Sequence, residues 1–235
     1  MRELKKEKAE IISMNKNFVI LGYGVPSSIT EDENYNIYLK TVFNNIFDLA
    51  SEDKAVIIFS GGKTDLVKPY KRTEADEMAK LFTRLMKRSF LRKETKDWQI
   101  MARNKPISSL ENLLEVKDII REKKLSGELI VFCEQSRAAK VSRLIQVIFK
   151  GKKVKIIPID FDNSINRYDN NIIRKKENKE LQFAIWALKN EKNLEKHHQM
   201  YLEKLNYLRK AMKSERDFGK IRKWWEKELK ELKIK

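Results

Sequence analysis

Residues 55–64 read AVIIFSGGKT. A run of five apolar residues that breaks at Ser60 and two glycines is the pattern of a strand buried on both faces that leaves its sheet through a tight turn. Four further apolar-rich stretches are read as strands: Phe18 to Leu21, Trp98 to Met101, which Gln99 interrupts, Leu129 to Cys133 and Val154 to Pro158. Between them apolar residues recur at helical spacing, as in Tyr35, Tyr38, Leu39, Val42, Phe43, Ile46 and in Ala75, Met78, Ala79, Phe82, Leu85. Leu110, Leu113, Leu114, Ile120 and then Val141, Leu144, Ile145, Ile148 continue the series. Strands alternating with amphipathic helices give βαβ units, and right-handed crossovers make the expected fold a three-layer, doubly wound, Rossmann-like α/β sandwich with a parallel sheet of five strands.

Outside that region the composition changes. Residues 1–16 are a charged N-terminal segment, 17–170 form the α/β domain, and 171–235 hold one glycine, no proline and long Lys/Glu stretches, which read as a basic helical tail. Leu194, Tyr201, Leu205, Leu208 and Met212 make one stripe, with His198 filling the missing step. Ile221, Trp224, Trp225, Leu229 and Leu232 make a last amphipathic helix. The stripe is too short to fix an oligomeric state.

The 235 residues carry 51 Lys and Arg against 34 Asp and Glu, a net charge of +17. Residues 171–235 contribute 19 basic and 10 acidic residues, so the tail is the more basic part per residue. Such an excess favours polyanions, and nucleic acid is a candidate partner through the tail, although Lys-rich helix surfaces also arise from composition alone. No run approaches the roughly 18 apolar residues of a membrane helix. The single Cys133 excludes an internal disulfide, so a cytoplasmic location is expected.

Ligands of parallel α/β sheets bind beyond the carboxyl ends of the strands, so the residues that follow each strand are the candidates. Gly22, Tyr23 and Gly24 form a turn that either presents backbone N–H groups to an anion or simply needs positive φ. The dinucleotide fingerprint is broken at Ser27, which argues against NAD. Ser60, Gly61, Gly62 and Lys63 imitate a P-loop, but its first glycine position is Ile57, inside the strand. They can still offer donors and a cation to one phosphate. Glu74, Glu111 and Asn112 stand at helix starts, where Thr73 with Asp76 and Ser108 with Glu111 also make capping boxes, the second with Glu111 reaching back to the Ser108 backbone. After the fourth strand, Arg137 and Lys140 share a helical face and can meet one anion. A cysteine phosphatase needs Arg where Ala139 stands, so Cys133 reads as a buried apolar residue. With strand order 3-2-1-4-5, the chain reverses between the first and fourth strands and brings Gly22 and Arg137 to one crevice. Adjacent His197 and His198 diverge on a helix and do not make an i, i+4 metal pair.

The ordered set FVILGYG (18–24), IIFSGG (57–62), TEADEM (73–78), SSLEN (108–112) and FCEQSRAAKV (132–141) resembles the YdcF, SanA and ElyC family of Rossmann-like domains of unknown function, over about residues 17–160. Arg137 then stands at the family's usual His position and Lys140 at its Arg position, while Arg103 falls where an acidic residue usually follows the third strand. An Arg in place of His removes a titrating group and leaves anion binding. The resemblance implies a pocket for a phosphorylated or nucleotide-like metabolite, and links to bacterial envelope metabolism. The basic tail has no counterpart in the family pattern.

Two functions are therefore expected as alternatives. In one, Gly22, Tyr23, Gly24, Ser60, Gly61, Gly62, Lys63, Asn112, Arg137 and Lys140 bind such a metabolite, and Glu74 and Glu111 orient it or act as base in phosphoester hydrolysis or transfer, with or without a divalent cation. In the other, the chain is a non-enzymatic module whose tail docks nucleic acid or an acidic protein.

Overall fold

A computed structural model describes residues 16–22, 24–25, 31–50, 53–160, 170–212 and 218–234. Tyr23 and Ser27, both named above, lie outside the described residues, as do most of residues 1–16. Five parallel strands, β1 (Lys16–Leu21), β2 (Ala55–Ser60), β3 (Trp98–Arg103), β4 (Leu129–Glu134) and β5 (Val154–Ile159), form one sheet in the order β3-β2-β1-β4-β5. Each includes the run expected from sequence and extends it by one or two residues, because main-chain pairing continues after the apolar pattern ends.

Helices α1 (Glu33–Ala50), α2 (Glu74–Met86), α3 (Ser109–Glu122) and α4 (Ala138–Ile148) alternate with the strands, and a 3-10 turn, Gln135–Arg137, precedes α4. Three more follow: α5 (Asn170–Ala187), α6 (Glu191–Ala211) and α7 (Phe218–Glu231). Alternate strand residues point to opposite faces. Phe18, Ile20, Ile57, Phe59, Ile130 and Phe132 pack under α1 and α2, whereas Val19, Leu21, Val56, Ile58, Val131 and Cys133 pack under α3 and α4. This is the doubly wound three-layer arrangement. Burial pushes the Cys133 thiol up to about 12, as expected of a cysteine used for packing.

The C-terminal helices do not stand apart from the sheet. Ala184 and Ala187 of α5 are buried in the same core as Val141 and Leu144 of α4. Phe183, Met200, Trp225 and Leu229 then form a small second core that ties α5, α6 and α7 together. The expected stripe on α6 is corrected in two places: His197, 1% exposed, takes the buried step beside Phe183 while His198 lies toward solvent, and Met212 is exposed.

Candidate functional site

Strands β1 and β4 are neighbours whose following helices leave to opposite faces, so a gap opens beyond their carboxyl ends. The gap is a cavity of about 380 Å³. Its floor comes from the strand ends and helix starts (Gly22, Gly24, Thr64, Glu74, Ser108, Ser109, Asn112, Arg137 and Lys140), and its outer wall from α5 and α6 (Lys176, Glu180, Tyr201, Lys204, Leu205 and Leu208).

Glu74 occupies the centre of the floor because α2 starts there. Thr73 caps the helix by accepting from the Asp76 N–H, and the Glu74 and Ala75 N–H groups donate to the carbonyls of Gly62 and Gly61. The Glu74 side chain crosses both glycine turns. A Cβ on Gly61 would lie 2.6 Å from both Cβ and Oε2 of Glu74, and one on Gly22 would lie 2.8 Å from Oε2. Gly22 and Gly61 thus make room for a carboxyl group of the protein, and positive φ is needed at Gly24 alone of this set, at 140°. Burial pushes the Glu74 carboxyl up from its ordinary value, against the opposing effects of Arg137, a 2.9 Å hydrogen bond from Thr64 Oγ1, and the Gly24 backbone.

The expectation that the second turn offers free donors to an anion is corrected by its hydrogen bonds. Gly61 N–H donates to Arg103 O at 3.0 Å and Gly62 N–H to Pro106 O, while a Cβ on Gly62 would meet the Pro106 carbonyl at 2.6 Å. Both donors are consumed in joining the β2 exit to the β3 exit. Lys63 is exposed and does not line the cavity. Ser60, fully buried, donates through Oγ to Asn112 Oδ1 at 3.2 Å, so it orients Asn112 rather than reaching the cavity itself.

Arg137 and the Gly22 turn meet at the switch point, with Nη1 donating to Gly22 O at 2.9 Å and Nε 3.4 Å from Glu134 Oε2. Lys140 does not face an external anion. It is 5% exposed, and its Nζ lies 2.5 Å from Glu177 and 2.8 Å from Glu180, both on α5. The other oxygen of Glu180 takes Lys204 Nζ of α6 at 3.0 Å. Burial alone would raise the Glu180 carboxyl, but the fields of Lys140 and Lys204 hold it well below the ordinary range. The anion that meets Lys140 is the protein's own.

Glu111 is turned away from the cavity. Its N–H donates to the Ser108 cap as expected, but its Oε2 accepts from the Ile107 N–H at 2.9 Å, one residue before the expected partner. Its Oε1 lies 3.7 Å from His197 Nδ1 and 3.3 Å from His198 Nδ1. The helical divergence of the two histidines therefore does not keep both nitrogens from one carboxylate. Burial opposes ionisation of Glu111, but His197, the Ile107 N–H and His198 together lower its pKa. No group of three or more His, Cys, Asp or Glu among the described residues is placed to hold a metal ion.

Sequence reasoning missed Thr64, Glu177, Glu180, Tyr201 and Lys204. The only signal is their spacing, Glu177 with Glu180 and Tyr201 with Lys204 at three residues on one helix each, and it is lost among many Lys/Glu pairs of the same kind. Tyr201 stacks against Phe183 with rings 6.3 Å apart and 10° from parallel, and burial with nearby carboxylates holds its phenol neutral. Four cationic side chains (Arg137, Lys140, Lys176 and Lys204) thus line the cavity, each within 3.6 Å of a carboxylate of Glu134, Glu177 or Glu180, while burial shifts Glu74 toward its neutral form. Such a site can hold an anion beside a hydrogen-bonding group and can exchange a proton at Glu74. No family model, curated protein or solved structure matches the chain.

Proposed function

We propose that the chain is a YdcF-like domain protein that binds a phosphorylated or nucleotide-like metabolite in the cavity beyond β1 and β4, with phosphoester hydrolysis or transfer as the chemistry. The observation that carries this reading is a cavity at the switch point of a doubly wound sheet, lined by Arg137, Lys140, Lys176 and Lys204 beside the buried carboxyl of Glu74. Arg137 and Lys204 supply charge to the phosphate, Asn112 and Tyr201 supply hydrogen bonds, and Glu74 gives or takes the proton. Ser60 and Cys133 are both fully buried, so transfer to a protein nucleophile has less support than attack by water or a substrate hydroxyl. The competing reading, in which the basic tail is a docking arm, has less support because α5 and α6 form the cavity wall.

The test is a thermal-shift screen of the full chain against sugar phosphates and nucleotides. A ligand at about 100 times its Kd adds about 2.7 kcal/mol, several degrees in melting temperature. Arg137→Ala abolishes that shift, and no stabilisation by any phosphorylated compound removes the proposal. A phosphatase and phosphodiesterase panel, with and without Mg²⁺ or Mn²⁺, then compares wild type with Glu74→Gln. Turnover that survives this change takes Glu74 out of the mechanism.

A further inference from the structure

Composition directs attention to the C-terminal helices as the basic surface, yet there Lys176, Lys179, Lys196, Lys204, Arg222 and Lys227 each pair with a carboxylate. Other cations there, among them Lys192, Lys223 and Lys230, make no such pair with a described residue, but they are spread along α6 and α7, and a denser unpaired group lies elsewhere. Residues 84–96, RLMKRSFLRKETK, carry six cations and one carboxylate, Glu94. Arg84, Lys87, Arg88, Arg92, Lys93 and Lys96 are all exposed, and none of them makes an ion pair with another described residue. The first three lie at i, i+3 and i+4 where α2 ends, so they share one side, and the others follow on the turns that lead into β3. Lys87, Arg92 and Lys96 wall an open hollow of about 300 Å³ together with Thr83 and Thr95.

Phe90 stands within this charge and is 68% exposed. It is not on a loose loop. Leu91, next to it, packs on the core under α1 and α2, and Thr95, 2% exposed, donates to Leu91 O at 2.9 Å. Trp98, 6% exposed, donates its indole N–H to Ala50 O at 3.1 Å. With Leu85 buried before it and Leu91, Thr95 and Trp98 held after it, the segment is pinned on either side of Phe90 and holds the ring in water. Cations at the C-terminus of α2 offset its dipole, which accounts for Arg84, Lys87 and Arg88. It accounts for neither Arg92, Lys93 and Lys96 nor an aromatic ring among them.

We propose that this surface binds single-stranded nucleic acid, with the six cations on backbone phosphates and Phe90 stacked on an unpaired base. A lipid surface is the weaker fit, because the apolar depth available is one side chain, Leu91 being turned inward, whereas interfacial docking needs an apolar stripe. In a parallel sheet α2 carries the chain from the carboxyl end of β2 to the amino end of β3, so the surface lies at the opposite end of the sheet from the cavity. It is independent of whatever the cavity binds.

The probe is a labelled oligothymidylate of about 20 nucleotides, titrated with the full chain and followed by fluorescence anisotropy. Binding weakens about a hundredfold between about 50 and 200 mM salt, as release of several counterions requires. Arg88→Glu with Arg92→Glu weakens it about tenfold or more and flattens the salt dependence. Phe90→Ala weakens the single strand about fivefold or more and leaves a duplex of equal length unaffected, since paired bases offer no free face. Lys223→Glu with Lys230→Glu, exposed positions on α7, changes binding by less than about twofold, since the phosphates lie at the other surface. The replaced side chains are exposed, and unchanged melting temperatures confirm folding. The proposal is overturned by absence of salt-dependent binding, by equal loss in the α7 variant, or by preference for the duplex. Binding to phosphatidylserine–phosphatidylcholine vesicles that depends on Phe90, with none to the oligonucleotide, overturns it in favour of a membrane.

Discussion

Glu74 and Glu180 face the same cavity, yet their carboxyl groups are shifted in opposite directions for reasons that can be separated. Glu74 is buried with no full counter-charge of its own, so the folded state holds its proton more tightly than the unfolded chain does. Stability linked to Glu74 is therefore fully present below the ordinary value of 4.5 and lost as pH rises through the folded value. Glu180 is buried between two lysines, so its contribution is present above 4.5 and lost as pH falls through the folded value. Denaturant unfolding over a pH series reads both. Glu74→Gln is expected to be more stable than wild type at neutral pH, with the gap closing below the ordinary carboxylate range. Glu180→Gln is expected to lose about 3–5 kcal/mol at neutral pH, because Lys140 and Lys204 lose a shared partner, and this gap too closes in acid. A neutral-pH loss in Glu74→Gln would mean that its bonds to Thr64 and Gly24 outweigh the burial.

The element that closes the site is α6, and one side chain fastens its far end. Arg209 donates through Nε to Asp65 O at 2.9 Å and through Nη2 to Lys63 O at 2.7 Å, with its guanidinium 4.5 Å from the centre of the Tyr70 ring. Asp65 is itself fully buried and held by both nitrogens of an Arg72 fork. Burial pushes the Asp65 carboxyl up, but Arg72 and the Val67 N–H bring it below its ordinary value. The latched loop carries Thr64, which holds Glu74. Arg209→Ala is therefore expected to cost about 1–3 kcal/mol. Hydrogen exchange should show faster opening confined to residues 61–73 and the last turns of α6. Arg209→Lys restores only part, since an ammonium group cannot reproduce the fork. Protection left unchanged in Arg209→Ala would remove the latch from the description of the site.

For the whole molecule, the three C-terminal helices complete both the core and the cavity. α5 covers the face of α4 with Ala184 and Ala187 and answers Lys140 with two carboxylates. A chain ending at residue 169 leaves that face and a buried ammonium group uncovered. It is expected to aggregate or to melt well below the full chain, as size-exclusion chromatography and calorimetry would show. A truncated domain that is soluble, monomeric and equally stable would mean that the helices contribute nothing to the sheet region.

What the sequence by itself determined is local. Apolar runs at Phe18, Ala55 and Leu129 mark the three central strands, because burial on both faces leaves no polar positions, while the edge strands at Trp98 and Val154 admit Gln99 and Lys155 on their exposed side. Helical periodicity marks the elements between them, and Thr73 and Ser108 mark helix starts, because a cap needs only its own neighbours three residues on. The glycines after β1 and β2 were also legible as special, but not the reason, which is the Glu74 side chain arriving from α2. The tertiary structure alone decided which charge meets which. Arg137 reaches Gly22 across 115 residues, Lys140 meets Glu180 across 40, and Arg209 meets Lys63 across 146. Lysines of the tail that look alike in sequence are thereby divided into those that wall a cavity and those that stay in water. Periodicity and capping act within one or two helical turns, whereas ion pairing depends on distance in space, and only the packed sheet and helices set that distance.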